Sequence, residues 1–126
     1  MTQNEIGRLI CSLKNGDEVS WNDRCDWFKV VGVSEHFVLA WLERKRKSPL
    51  YTIISKVPYG GVGRNGVGGD DFFCGPDDRI FGYYKGYHFK DNEWIEEYLD
   101  ALESGEINIS ERNKAAIHEM KCKFKE

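Results

Sequence analysis

Six glycines between Gly60 and Gly69 surround a single cation, Arg64, in the run YGGVGRNGVGG. Glycine reaches positive φ and lets a ligand approach the backbone closely. Successive N–H groups in such a loop can cradle an anion, and Arg64 adds a guanidinium fork matched to phosphate or carboxylate. Farther on, Arg79, Phe81 and Tyr84 fall in one short stretch, and Arg112 and Asn113 in another. Arginine holds phosphate while an aromatic ring stacks on a base, so these six residues are the candidate site for a nucleotide-type ligand. Phe72 and Phe73 flank the glycine-rich loop and are the candidate anchors for a protein partner, because aromatic residues often dominate interfaces. A plainer reading stands beside each. Long glycine-rich connections are often flexible spacers, and Arg79 and Arg112 have Asp77, Asp78 and Glu111 nearby as surface ion-pair partners.

Catalysis finds less support. The three histidines, His36, His88 and His118, fall at expected strand or strand-end positions, and the chain has neither GxSxG nor HExxH. A cysteine nucleophile needs an adjacent base, and spacing alone does not bring His88 to Cys74. Asp70, Asp71, Asp77 and Asp78 have the oxygen chemistry for a hard cation but lack the calcium-loop pattern, and turn aspartates mostly cap their own backbone. The expectation is therefore a non-enzymatic protein with no catalytic residue, metal ligand or cofactor. Arg44–Lys47 is the densest basic run, and Trp41 and Tyr51 beside it offer stacking faces for a nucleic acid.

The totals disfavour that last use. Eighteen basic against 21 acidic residues give a net charge of −3 over 126 residues, whereas broad nucleic-acid binders usually carry a basic excess. The length suits one domain, 1–126, with a real core. Cys11, Cys25, Cys74 and Cys122 are far apart with no CxxC, so reduced, mostly buried thiols in a cytoplasmic protein are expected. MTQNEIGRL lacks the basic and apolar regions of a signal peptide, and no apolar run is long enough for a membrane span.

The elements that must position these residues are mostly strands. Leu9, Cys11 and Leu13 alternate, predicting a first strand over 8–14 that ends at the turn Asn15-Gly16-Asp17. Residues 25–33, 36–43 and 50–57 then read as an antiparallel meander. In HFVLAWLE, Phe37, Leu39 and Trp41 take one face and Val38, Ala40 and Leu42 the other, which predicts a central strand. A glycine-rich loop over 59–76 leads to a strand from Arg79 to Tyr84, with Gly82 as a bulge or close-approach point. Asp91 or Asn92 caps a helix to about Ser104, with Trp94, Ile95, Tyr98, Leu99 and Leu102 inward and Gly105 as its stop. Ile117–Lys125 alternates again, with His118, Met120, Cys122 and Phe124 facing inward and Lys121, Lys123 and Lys125 outward, and predicts a final, half-exposed, lysine-guarded edge strand. The expected fold is α+β, a bent antiparallel sheet or small barrel of five to six strands with one packed helix.

Gly75-Pro76-Asp77-Asp78-Arg79-Ile80-Phe81-Gly82, with Ser110-Glu111-Arg112-Asn113 after an acidic helix, resembles small phage and prophage proteins. Those carry a GPDxxxFG strand, an acidic helix and a serine–arginine–asparagine turn. The resemblance spans roughly Leu50–Ile117, and this chain departs from it in the long insert Tyr59–Phe73. It implies a phage-encoded accessory protein acting in the host cytoplasm against host defence, by stoichiometric binding. Two modes of action are carried forward. One sequesters a nucleotide-type signal through Arg64, Arg79, Phe81, Tyr84, Arg112 and Asn113. The other is an anti-CRISPR-like inhibitor that masks a host defence enzyme through the glycine-rich loop with Phe72 and Phe73. A nucleic-acid-binding accessory role and a homo-oligomer are further alternatives.

Overall fold

A computed structural model describes residues 3–20, 26–56, 67–76, 81–88, 92–106 and 111–125, with the backbone alone over 67–73 and 81–88 and at 3, 4, 55, 93, 94, 112 and 125. The elements run α1 (Gln3–Ser12), β1 (Glu18–Val19), β2 (Phe28–Val33), β3 (Phe37–Leu42), β4 (Leu50–Ser55), β5 (Val67–Cys74), β6 (Phe81–His88), α2 (Asn92–Ser104) and α3 (Glu111–Lys125). Strands β1-β2-β3-β4 form an antiparallel sheet in that order, and β5-β6 form a separate antiparallel pair. The fold is α+β as expected. The expectation of one bent sheet or barrel with a single helix is corrected to a four-stranded sheet, a two-stranded antiparallel pair and three helices among the described residues.

Two apolar layers hold the sheet from opposite sides. On one side Val19, Phe28, Val30, Val38, Ala40 and Ile54 pack against Ile6, Ile10 and Leu13 of the α1 segment. On the other, Phe37, Leu39, Tyr51 and Ile53 pack against Ile95, Tyr98, Leu99 and Leu102 of α2 and Ile117 and Met120 of α3. The alternation in β3 supplies both layers at once, which is why that strand is internal. Burying each large aliphatic side chain contributes ~1.5–3 kcal/mol, so both layers are substantial.

Strand β2 carries the sheet's irregularity. Its pairing with β3 shifts between Val30 and Gly32, so Val31 is an extra residue in the ladder. Strict alternation would put Val33 on the same side as Val31. The bulge absorbs Val31 and returns Val33 to the α1 side, leaving Val31 against the helical hairpin. Gly32 follows, and a Cβ built there would lie 2.9 Å from Met120 Cγ. Glycine is what lets α3 come this close. At Gly82, expected as a bulge or close-approach point, no bulge interrupts the pairing, since β5 and β6 run in unbroken register from Val67↔His88 to Cys74↔Phe81.

Two segments expected as strands are helices. In the first, Ile6, Ile10 and Leu13 form an i, i+4, i+7 stripe, and all three are buried. The competing alternation at Leu9, Cys11 and Leu13 included Cys11, which is exposed. At the C-terminus, Asn113, Ile117 and Met120 are buried and Phe124 half-buried, again at helical spacing. His118 and Cys122, counted inward by the strand reading, are exposed. The expected helix α2 is present, with Ile95, Tyr98, Leu99 and Leu102 buried and Gly105 at φ 88° ending it. Asn92 does more than start that helix. Its Oδ1 accepts from Tyr51 N at 2.9 Å and its Nδ2 donates to Pro49 O at 2.7 Å, tying α2 to the start of β4.

Residues 67–74, expected within the glycine-rich loop, are strand β5, and residues 59–66 lie outside the described residues. Ser20 joins the two sheets through backbone bonds with Cys74, 3.0 and 2.8 Å. No helix among the described residues is long and apolar enough to cross a membrane.

Candidate functional site

The short partner of β2 leaves part of its edge open. Strand β1 covers Phe28 and Lys29, and the turn before it covers Val30, whose N–H donates to Asp17 O and whose carbonyl accepts from Gly16 N, both at 2.8 Å. Gly16, at φ 100°, makes that turn possible. Beyond Val30 no further backbone bond to this edge occurs among the described residues. Ser34 N donates to Phe37 O at 2.9 Å, so Ser34 and Phe37 form a bonded pair across the hairpin. The next pair, Val33↔Val38, is then a non-bonded one. Its Val33 N–H and C=O point away from β3, toward the open edge. No partner for them occurs among the described residues.

This edge is the floor of a groove of about 490 Å³. Val31, Gly32 and Val33 form the floor, Leu13, Lys14 and Asn15 one wall, and Ala116, Glu119, Met120 and Lys123 of α3 the other. The volume lies within the ~300–1,000 Å³ typical of ligand sites. A second concavity of about 280 Å³ shares Val31 and Lys123 and continues to Trp41, Pro49 and Tyr51. Trp41 Nε1 is buried without a partner among the described residues.

Polar bonds set the position of the α3 wall. Asn113, 6% exposed, donates from Nδ2 to Glu35 Oε2 at 3.2 Å, and its Oδ1 accepts from Glu35 N at 3.3 Å. This fixes the start of α3 on the β2–β3 turn. At the other end Tyr51 Oη donates to the Lys123 carbonyl at 3.1 Å, one of the orphan carbonyls that every helix terminus leaves. The Tyr51 and Phe124 rings meet edge to face at 5.0 Å. On the opposite wall, the Asp17 carboxylate accepts from Lys14 N at 3.1 Å and lies 3.6 Å from Lys14 Nζ.

None of the described residues that line this groove is one expected to bind a nucleotide. Arg64 and Arg79 lie outside the described residues. Phe81 and Tyr84 are in β6, opposite Cys74 and Asp71. Arg112 and Asn113 are in the first turn of α3, where a loop was expected, and the Asn113 amide is engaged by Glu35. Phe72 and Phe73 are in β5, paired with Tyr83 and Gly82, rather than in a loop. In the basic run, Arg44 donates from Nε and Nη2 to the Ser48 carbonyl at 2.9 and 2.7 Å, closing its own turn. Among the described residues no three His, Cys, Asp or Glu side chains group as metal ligands. Asp77 and Asp78 lie outside those residues.

The groove was missed because its signal is a length mismatch. A two-residue β1 facing a six-residue β2 exposes an edge, and only the Asn15-Gly16-Asp17 turn marks where the cover ends. Comparison with known proteins returns no matching family model, no matching curated protein and no matching solved structure.

Proposed function

We propose that this protein works by stoichiometric binding of a protein partner, seating an extended segment of that partner along the open edge of β2. The observation that carries this reading is the outward-facing N–H and C=O of Val33 at the floor of a groove of mixed apolar and charged lining. A strand edge supplies main-chain hydrogen bonds to any extended chain, and neighbouring concavities read alternate side chains. The groove beside Val31 adjoins the concavity at Trp41 and Tyr51, with Val31 and Lys123 common to both. The phage-protein resemblance gives the biological setting: an accessory factor that masks a host defence protein in the host cytoplasm without catalysing a reaction.

The nucleotide-sequestering alternative has less behind it, because it requires Asn113, whose amide is occupied by Glu35. Selection from a displayed library of random peptides separates the two. The expected winners carry alternating apolar residues and lose binding to Val33→Pro. That substitution removes an N–H that does not face β3, and proline is tolerated on edges for this reason, so the thermal midpoint is expected to hold. A library without enrichment, together with a nucleotide panel that raises the midpoint, would replace the peptide reading with the nucleotide one.

A further inference from the structure

A different face of the molecule brings a thiol, an imidazole and a carboxylate into line. Cys122 and His118 are four residues apart on α3, so they share one helix face, and Glu103 reaches them from the last turn of α2. Cys122 Sγ lies 3.9 Å from His118 Nε2, and His118 Nδ1 lies 2.9 Å from Glu103 Oε1. The carboxylate is itself held. Its second oxygen is 2.8 Å from Lys121 Nζ, which also bridges Asp100 at 2.5 Å.

This order matters chemically. A carboxylate at Nδ1 keeps the imidazole proton on that nitrogen and leaves Nε2 as an acceptor facing the sulfur. Activated nucleophiles share this arrangement, in which a base within reach is oriented by a third group. Both Cys122 and His118 are exposed, so a reagent can reach them. The same chain contains a control. Cys11 is also an exposed free thiol, but its Sγ faces the Lys56 carbonyl at 3.9 Å, an acceptor that does not take the proton away.

We propose that Cys122 is a nucleophilic modification site that accepts small disulfides, such as an oxidised low-molecular-weight thiol. The S–H proton passes to His118 Nε2 as the sulfur attacks one sulfur of R–S–S–R. The Cys122–S–S–R bond forms, the original S–S bond breaks, and the departing R–S⁻ takes the proton from His118. Cys122 is oxidised and one R–S unit is reduced, so electrons balance without a further reagent. The site lies on the α2–α3 face, apart from the groove, and its test is independent of the peptide reading.

The experiment exposes the full-length protein to oxidised glutathione and follows Cys122 and Cys11 separately by peptide mass spectrometry. General-base assistance in enzymes reaches ~10²–10⁴-fold, and about tenfold faster modification of Cys122 is expected at this open site. His118→Gln can still donate to Glu103 but cannot take a proton, so it should bring Cys122 down to the Cys11 rate. His118→Ala should do the same, and circular dichroism shows that each variant is folded. Equal rates at the two cysteines, or an undiminished Cys122 rate in folded His118→Gln, would overturn the proposal.

Discussion

The two faces of the four-stranded sheet are closed by different means. Against α1 the contact is aliphatic apart from Phe28: Ile6, Ile10 and Leu13 on Val19, Val30, Val38, Ala40 and Ile54. Against the α2–α3 hairpin the contact is aromatic as well, with Phe37 and Tyr98 edge to face at 5.7 Å. That face also carries directional bonds across long stretches of chain, from Asn92 to β4, from Asn113 to the β2–β3 turn and from Tyr51 to the end of α3. Apolar burial is non-directional, so it can hold a helix down without fixing where along the sheet it stops. Hydrogen bonds prefer defined distances and angles, so on the α2–α3 side they fix that position. The groove wall is on that side, and its shape depends on the clamps.

The largest expected effects test whether both layers belong to one cooperative unit. Ile10→Ala and Leu99→Ala should each cost ~2–5 kcal/mol through lost burial and cavity formation. Urea unfolding should show a single transition shifted in both; a second transition in either variant would separate the two layers. Next comes Gly32→Ala, expected to cost ~1–3 kcal/mol by overpacking against Met120. Adding Met120→Ala should recover part of that loss in a double-mutant cycle, and strict additivity would show that the two positions do not meet. Asn113→Ala should cost ~1–2 kcal/mol by leaving the Glu35 amide unpaired. It should also loosen the α3 wall, read as faster amide exchange in the first turn of that helix.

The smallest effect is electrostatic and confined to the hairpin. Hydrogen bonding from Lys121, and then from His118, holds the Glu103 carboxyl below its ordinary range. A depressed carboxyl stabilises the fold above its unfolded value and stops doing so as pH falls through its folded value. Lys121 is raised by its bonds to Asp100 and Glu103, so its contribution is complete below the ordinary lysine range and fades at strongly alkaline pH. From about pH 7 to about pH 3, across the ordinary glutamate range, the thermal midpoint should fall more steeply in the wild type than in Glu103→Gln. Parallel slopes would mean that the network adds nothing to stability.

The sheet and α2 were legible because their periodicities are clean. Phe37–Leu42 alternates with both phases apolar, and Ile95, Tyr98, Leu99 and Leu102 fit only a helix. The outer helices were misread because a half-buried helix and a half-buried strand overlap in short windows. Cys11, His118 and Cys122 counted as inward residues of strands when they are exposed on helices. That error also hid the Cys122–His118 pair, whose four-residue spacing means proximity only on a helix. Of the residues expected from sequence to bind a ligand, Asn113 is buried, and its amide is bonded to Glu35 on the β2–β3 turn. The groove depends on which backbone groups find no neighbour, and side-chain patterns do not record that.

The bulge in β2 has a consequence for chain length. With Val31 deleted, Lys29, Val30, Gly32 and Val33 can face Trp41, Ala40, Leu39 and Val38 in an unbroken ladder, every side chain keeping its present side. Val31 is also the residue that both concavities share on the sheet. A molecule one residue shorter should therefore keep its architecture while losing the side chain that lines both concavities. Fold and recognition are separable here by a single-codon deletion, so relatives differing by one residue in this strand could share a structure and differ in what they bind.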